Sequence, residues 1–486
     1  MFYKQKFDTF IRIYGQIGYI NNKSIFNDRV VSQSGAVFLS VLNRTPQILD
    51  KLAEKIVNQF VGADIEIIKQ DAKDFYDILE HDGFIVSGKT SQECDDNDTR
   101  FSYKALEPKT IKNDFTPVVI RSEKSTQEYF KEHFKDNPCL MDFQIELTSK
   151  CNERCLHCYI PHENKTENIE PDFFYEILEQ CKKMGILSLT LSGGEPMMHE
   201  KFCEFLKKCK EYDFSVNILS NLTLLNDEIL AEMKANRLSS VQVSLYSMNP
   251  KIHDEITQLK GSFEKTKNAI LKLIENDIPL LISCPTMKQN KNCYIDVLQW
   301  AQKHNVRTGT DYIMMGKYDY TTENLNNRLS LNEVVNIIND ILEKDIAYQN
   351  RVIDADLTKE EKRDISNDIV CGVCNSSICM VSNGDIYPCP GWQGYVVGNV
   401  KDTPLQEIWD NSPKVQYLRG LRMKYFPKCL KCEDRAFCAM CIARNANEDP
   451  NGDFLKINEH YCKVAKIHHE IVLQWKERFK KNDVVE

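Results

Sequence analysis

From Asp142 onward, short apolar runs alternate with amphipathic stretches of helical period. FQIEL (143–147), SLTLS (188–192), SVNILS (215–220), SVQVSLY (240–246) and PLLIS (279–283) predict strands, with a weaker one at TDYIMM (310–315). Between them, runs such as DFFYEILEQCKKM and EKTKNAILKLIEN repeat apolar residues at helical spacing. Strands alternating with helices of this length predict an α/β parallel sheet. Six units with no G-x-G-x-x-G turn suggest a partial (β/α)6 barrel of the TIM type rather than a doubly wound sheet.

The head of the chain has another rhythm. FIRIYGQIGYINN predicts two short strands around Gly15 or Gly18, and AVFLSVLNR a helix. In TPQILDKLAEKIVNQF, Thr45 suits a cap, Pro46 the first turn, and Ile48, Leu52, Ile56 and Phe60 recur at helical spacing. A further helix in QDAKDFYDILEHDGFI stops near Gly83, and the polar segment 90–110 reads as linker. From about Arg351 the alternation fades into turn-rich sequence. These changes divide the chain into an α+β head (1–90), a linker (91–138), the barrel (139–350) and a tail (351–486).

Composition narrows the function class. The 486 residues carry 62 Lys+Arg against 71 Asp+Glu, and the net charge of −9 argues against a nucleic-acid partner. No apolar run is long enough to span a membrane, and MFYKQKFDTFIRIYG lacks the apolar core of a signal peptide. The expected setting is therefore a reducing cytoplasm, where the 19 cysteines read as thiolate ligands more simply than as disulfides. Their distribution is uneven. Only Cys94 lies in the first 138 residues, Cys151, Cys155 and Cys158 form a tight group, and nine fall between Cys371 and Cys462.

Cys151-Asn-Glu-Arg-Cys155-Leu-His-Cys158 follows the first barrel strand directly. Three thiolates on one loop can hold three corners of a cubane iron–sulfur cluster and leave the fourth iron open. A structural zinc site wants four protein ligands. His157 is a candidate fourth, but it sits between two cysteines where the loop is already crowded. The run CNERCLHCY resembles the signature of the radical S-adenosylmethionine (SAM) superfamily, in which the open iron chelates the amino and carboxyl groups of the cofactor's methionine. Ser192-Gly193-Gly194-Glu195-Pro196, ending the second strand, looks like that family's GGE motif. The resemblance implies that Gly193, Gly194 and Glu195 contact the methionine amino group, and that Ser220, Asn221 and Ser244 serve the rest of the cofactor. His157 and Tyr159 are expected to pack around the cluster, and no catalytic acid or base is assigned.

The tail places Cys371, Cys374 and Cys379 before Gly384-Asp-Ile-Tyr-Pro-Cys389, then Cys429-x2-Cys432-x5-Cys438-x2-Cys441, and finally Cys462. Paired C-x2-C motifs suit zinc ribbons, yet nine cysteines leave one over after two zinc ions. Beside a radical SAM core the pattern resembles the SPASM extension, which holds two auxiliary [4Fe–4S] clusters. Cys438 and Cys441 stand two residues apart where that family has three. The resemblance implies an outer cluster on Cys429, Cys432, Cys438 and Cys462. It implies an inner one on Cys389 and Cys441 with Cys371 and Cys379, and Cys374 in reserve.

The head's order of strands, helices and a DGFI ending is similar to the winged-helix leader-recognition domain of ribosomal-peptide maturation. Such domains add an extended leader to a sheet edge, and residues 9–20 and 24–40 are where that edge is expected. Together the parts resemble a SPASM-containing radical SAM peptide maturase with three [4Fe–4S] clusters and SAM. The implied partners are a precursor peptide and a low-potential donor such as flavodoxin or ferredoxin, with no membrane. The implied chemistry is hydrogen abstraction by a 5′-deoxyadenosyl radical, and thioether or carbon–carbon cross-linking is the first expectation. Epimerisation, with Cys284, Cys293 or Cys374 as hydrogen donor, is next, then a sulfatase-type maturase. A zinc-stabilised peptide-binding protein is the reading from another class.

Overall fold

The computed structural model describes residues 1–22, 25, 27–106, 126–161, 166–354, 364–438 and 440–482. In the head, β1 (Phe2–Gln5) is followed by a meander of β2 (Thr9–Tyr14), β3 (Ile17–Asn22) and β4 (Asn27–Val31), all antiparallel. Gly15 turns the first hairpin at φ +62°, a left-handed conformation that glycine adopts without strain. The helix expected from Pro46 begins only at Leu49. Gln47–Ile48 pairs with β1 as the short strand β5, so long-range pairing displaces the local helix start. The helix Ile65–His81 starts on the Asp64 side chain, which accepts from the Glu66 and Ile67 amides, and Gly83 follows its end at φ +81°. β6 (Ile85–Gly88) completes a second small sheet, ordered β5-β1-β6.

The segment read as linker is structured at its start. Thr90 caps a helix over Ser91–Asp96 that buries Cys94, and Tyr103 then closes one end of the barrel. Its hydroxyl donates to the Ile278 carbonyl (3.1 Å) and accepts from the Leu280 amide (2.8 Å). Residues 107–125 lie outside the described residues, and a helix at Thr126–His133 leads on to the barrel.

Six parallel strands stand side by side in chain order: β7 (Asp142–Thr148), β8 (Ser188–Gly193), β9 (Ser215–Ser220), β10 (Leu238–Ser244), β11 (Leu280–Pro285) and β12 (Arg307–Asp311). β12 ends earlier than the apolar run suggests. The Asp311 carboxylate accepts from the Ile313 amide, which turns the chain, and Met314 packs instead with Tyr246, Ile256 and Met287. Alternate residues of β7 explain the layering. Phe143, Ile145 and Leu147 are buried in the main core, while Gln144 donates to the Ser192 hydroxyl (2.7 Å) on the other face.

The tail joins this same sheet. β13 (Ser377–Met380) pairs parallel to β7, and β14 (Asp385–Tyr387) and β15 (Gly398–Asn399) extend it antiparallel to nine strands. No helix among the described residues is long and apolar enough to cross a membrane.

Asp213, in a left-handed turn (φ +60°) after the helix Phe202–Glu211, ties the head to the barrel. Its carboxylate pairs with Arg44 (2.8 Å) and Arg237 (3.4 Å), and its backbone carbonyl accepts from Arg12 Nη2 (2.7 Å). Asp213→Asn leaves Arg44 and Arg237 without a counter-charge and should cost about 1–2 kcal/mol. The expected outcome is earlier proteolytic release of the head and a lowered first melting transition. A variant that melts and resists protease like the wild type would show that the head docks without this hub.

Candidate functional site

The loop 151–158 leaves the C-terminal end of β7, the end at which barrel sites gather. Its root is clamped by the turn after β8. The Gly194 amide donates to the Thr148 carbonyl and the Glu195 amide to the Lys150 carbonyl, both at 2.8 Å. A Cβ on Gly193 would lie 2.1 Å from the Thr148 oxygen, and one on Gly194 2.3 Å from the Lys150 oxygen. Gly193 also sits at φ +145°. These glycines therefore allow backbone to press on backbone at the root of the cysteine loop.

Glu195 extends the clamp to β9. Its Oε1 accepts from the Ser220 hydroxyl (2.8 Å) and the Met197 amide (3.0 Å), and its Oε2 from the Asn221 amide (2.7 Å). Burial pushes this carboxyl up to about 7 against the pull of those donors. Asn221 Nδ2 in turn donates to Asn152 Oδ1 (2.9 Å), and Asn152 Nδ2 donates to Thr223 Oγ1 (2.7 Å). Four of the expected cofactor residues, Gly194, Glu195, Ser220 and Asn221, thus belong to one hydrogen-bonded unit with the loop. Ser244 stands apart at the end of β10, near the Tyr246 side chain.

The outer side of the loop is held by later elements. The Arg154 amide donates to the Thr257 carbonyl (3.0 Å) and the Leu156 amide to the Ile256 carbonyl (2.9 Å). The His157 ring meets the Tyr246 hydroxyl at 3.4 Å, and burial depresses its pKa to about 4, so the imidazole is neutral. Burial raises the Cys155 thiol well above its ordinary range, and Glu153, Cys158 and Cys151 add to the rise. Taking up metal here means releasing protons from such thiols.

In the tail, Cys429, Cys432, Cys438 and Cys462 line one cavity of about 500 Å³. Burial, with Cys438, Cys462 and Cys432 as neighbours, pushes Cys429 up to about 11. A second group forms around Cys389, which burial, then Cys441 and Cys371, push up to about 12, with Cys374 a further neighbour. Cys374 is buried in a left-handed turn (φ +59°) beside Cys371. Cys379 lies on β13, neighbours Cys389 and Glu146, and directs its thiol to the Tyr387 carbonyl (3.5 Å). Cys284 is buried beneath the Tyr246 carbonyl (3.7 Å), and Cys293 meets the Ser247 hydroxyl (3.2 Å).

The donor sets suit iron–sulfur clusters. Three thiols share the β7 loop with a neutral histidine that is engaged with Tyr246, and soft thiolates fill both tail groups. Among the described residues, no three His, Cys, Asp or Glu side chains converge closely enough to hold a single metal ion.

Two residues between these groups escape a motif reading. Glu146, on β7, is 4% exposed and accepts from Gln393 Nε2 (2.6 Å), four residues past Cys389. Burial pushes it up to about 8. Tyr159 has Glu146, Cys158, Cys379 and Cys389 as its charged neighbours, so it bridges the loop and the inner group. A lone carboxylate inside the apolar run FQIEL is the sequence signal for the first; Gln393 carries none.

Residues 145–301 match the radical SAM superfamily, and residues 371–433 match the SPASM iron–sulfur cluster-binding domain. The chain is 26% identical over 339 residues to the AdoMet-dependent heme synthase of Methanosarcina barkeri, covering 65% of this chain and 94% of that one. It is 25% identical over 365 residues to the antilisterial bacteriocin subtilosin biosynthesis protein AlbA of Bacillus subtilis, covering 72% and 74%. In fold it resembles Streptococcus suis SuiB bound to its precursor peptide SuiA. That likeness has a TM-score of 0.59 at 17% identity and covers 93% of this chain and 98% of the other.

Glu195→Gln tests the clamp. The native carboxyl holds its proton to about pH 7, above the ordinary 4.5. Its stabilising contribution is therefore complete below about pH 4.5 and is lost as pH rises through about 7. Melting curves of the metal-free protein from pH 4.5 to 8 should show a decline with pH that is shallower in the variant. Equal slopes would remove Glu195 from the pH response. Gly194→Ala, which drives a Cβ into the Lys150 carbonyl, should cut iron uptake severalfold, and wild-type iron content would refute the clamp.

Proposed function

We propose that this chain, which carries a radical SAM domain followed by a SPASM iron–sulfur cluster-binding domain, is a maturase of ribosomally made peptides. The observation that carries this reading is the joining of three thiol groups to one sheet. The loop follows β7, the inner group surrounds β13, which pairs with β7, and the outer group continues the same tail. Similarity to AlbA, and in fold to peptide-bound SuiB, supports a peptide as substrate.

Cys151, Cys155 and Cys158 would hold the cluster that binds SAM, and together these supply a hydrogen-abstracting radical when bound. The chain's own share is placement. The clamp at Gly194 and Glu195 sets the loop's position, and the ends of β9 and β10 carry Ser220, Asn221 and Ser244 for the cofactor's polar groups. Cys429, Cys432, Cys438 and Cys462 would hold the outer cluster. For the inner cluster, charge neighbours join Cys371, Cys374, Cys379, Cys389 and Cys441, and Cys374 is preferred to Cys379 only because the Cys379 thiol is turned to a carbonyl across its hairpin.

The head offers a peptide an edge. β2 faces the barrel, where Arg12 donates to the Ile186 carbonyl and Tyr14 to that of Gly185, and β4 is the opposite edge of the meander. An extended leader adding to β4 would gain main-chain bonds there. Cross-linking of the peptide is the reaction proposed, because it is a net oxidation that auxiliary clusters can serve. A low-potential carrier such as flavodoxin or ferredoxin would supply electrons.

The test is anaerobic co-expression with the small peptides encoded beside the gene, followed by mass measurement. Loss of a hydrogen pair per event is expected. An unchanged mass with altered stereochemistry would replace cross-linking by epimerisation. Peptide binding that survives deletion of residues 1–90 would favour a sulfatase-type maturase, and a colourless protein with zinc but no iron would refute the radical reading. For the inner ligand, Cys374→Ala should lower iron from about twelve to about eight atoms per chain, and Cys379→Ala should keep it near twelve. The reverse pattern would reassign the ligand.

A further inference from the structure

The outer thiol group lines a cavity that also holds more cations than carboxylates. Its cavity of about 500 Å³ is rimmed by Lys428, Arg435, Lys463 and Lys466, with Asp434 and Glu459 as the carboxylates. Exposed Lys424 and Lys431 adjoin Met423 and Cys432 of the lining in sequence, the carboxylates Asp364 and Glu433 adjoin Ile365 and Cys432, and Glu470 pairs with Lys466. The lining itself carries four cations against two carboxylates, on a chain whose net charge is −9.

Three of these carboxylates are engaged. Glu459 pairs with Lys428 (2.5 Å), Glu470 with Lys466 (3.9 Å), and Asp434 with the His469 ring (2.9 Å). Among the described residues, exposed Lys424, Lys431 and Lys463 form no ion pair. Tyr425 stands 56% exposed beside Lys424, an amphipathic ring of the type enriched at protein interfaces. Cys429 and Cys462 are half-buried where they line this opening.

We propose that this lysine collar is the docking surface for an acidic one-electron carrier protein. The inference rests on the reading of the outer thiols as cluster ligands. In the exchange one electron leaves the reduced carrier and enters that cluster, and no atom or proton is transferred. Complementary charge speeds such encounters by about 10- to 1,000-fold at low salt, and the gain fades once the screening length falls to about 10 Å near 0.1 M salt.

The test uses the full, cluster-loaded chain with reduced flavodoxin as the probe, following bleaching of the iron–sulfur absorbance by stopped flow as salt is raised. Binding of oxidised flavodoxin is measured beside it by calorimetry. The triple variant Lys424→Glu, Lys431→Glu, Lys463→Glu should be reduced about 10- to 100-fold more slowly at low salt, lose its salt dependence and bind flavodoxin more weakly. The Lys→Gln triple, which neutralises without reversing, should fall between. Dithionite should bleach all of them at the same rate, with equal iron content. The same charge change at Lys182, Lys183 and Lys207, exposed on other helices, should leave the flavodoxin rate within twofold.

Wild-type rate and salt response in the collar triple would overturn the proposal, as would equal slowing in the control triple. A wild-type chain that takes up no iron would instead refute the cluster reading on which it rests.

Discussion

Two backbone hydrogen bonds at the root of the cysteine loop govern the rest of the site. They join the amides of Gly194 and Glu195 to the carbonyls of Thr148 and Lys150, and they form only because neither Gly193 nor Gly194 carries a Cβ. The ladder between β7 and β8 shifts register between Glu146 and Thr148, so the end of β7 bends toward β8 just where the loop departs. Glu195 passes the constraint to Ser220 and Asn221 on β9, and Asn152 returns it to the loop. The loop's shape is thus a property of the polypeptide. What a bound metal must still overcome is the raised thiol at Cys155, since ligation requires the thiolate.

The tail reaches back to that strand through side chains as well as through β13. Gln393 crosses to Glu146, and Asn447 Nδ2 donates to the Gly316 and Gly391 carbonyls (3.1 and 2.7 Å). Arg328 pairs with Glu448 at 2.8 Å with both side chains nearly buried. Breaking one partner of such a pair leaves an uncompensated buried charge, so these contacts fix the tail's position more than they add net stability.

Local pattern carried the reading where local pattern decides the structure. SVNILS becomes β9 over the same residues, because alternation and short apolar length suffice for a strand between two neighbours. It failed where a distant segment intervened. Thr45 and Pro46 satisfy every local rule for a helix start, yet pairing of Gln47–Ile48 with β1 outweighs them. TDYIMM is apolar, but Asp311 turns the chain and Met314 belongs to another cluster. The segment 90–110 looked unstructured because its anchors are single residues, Cys94 and Tyr103, which create no period. The cysteine groups were visible as spacing. Spacing leaves the choice between Cys374 and Cys379 open, because it carries no information about which way a hairpin turns a side chain.

The parallel pairing of β13 with β7 has a consequence for how the molecule holds together over time. The strand that launches the cysteine loop is hydrogen-bonded on one side to a barrel neighbour and on the other to a segment more than 200 residues later in the chain. A sheet shared in this way couples the tail to the barrel, since β7 loses one of its two neighbours when the tail strand detaches. It also makes the last steps of folding wait for the tail. Until residues 377–380 arrive, β7 presents a bare edge on its outer side, the kind of surface that pairs with other chains. The auxiliary region thus also acts as the chaperoning flank of the barrel it completes.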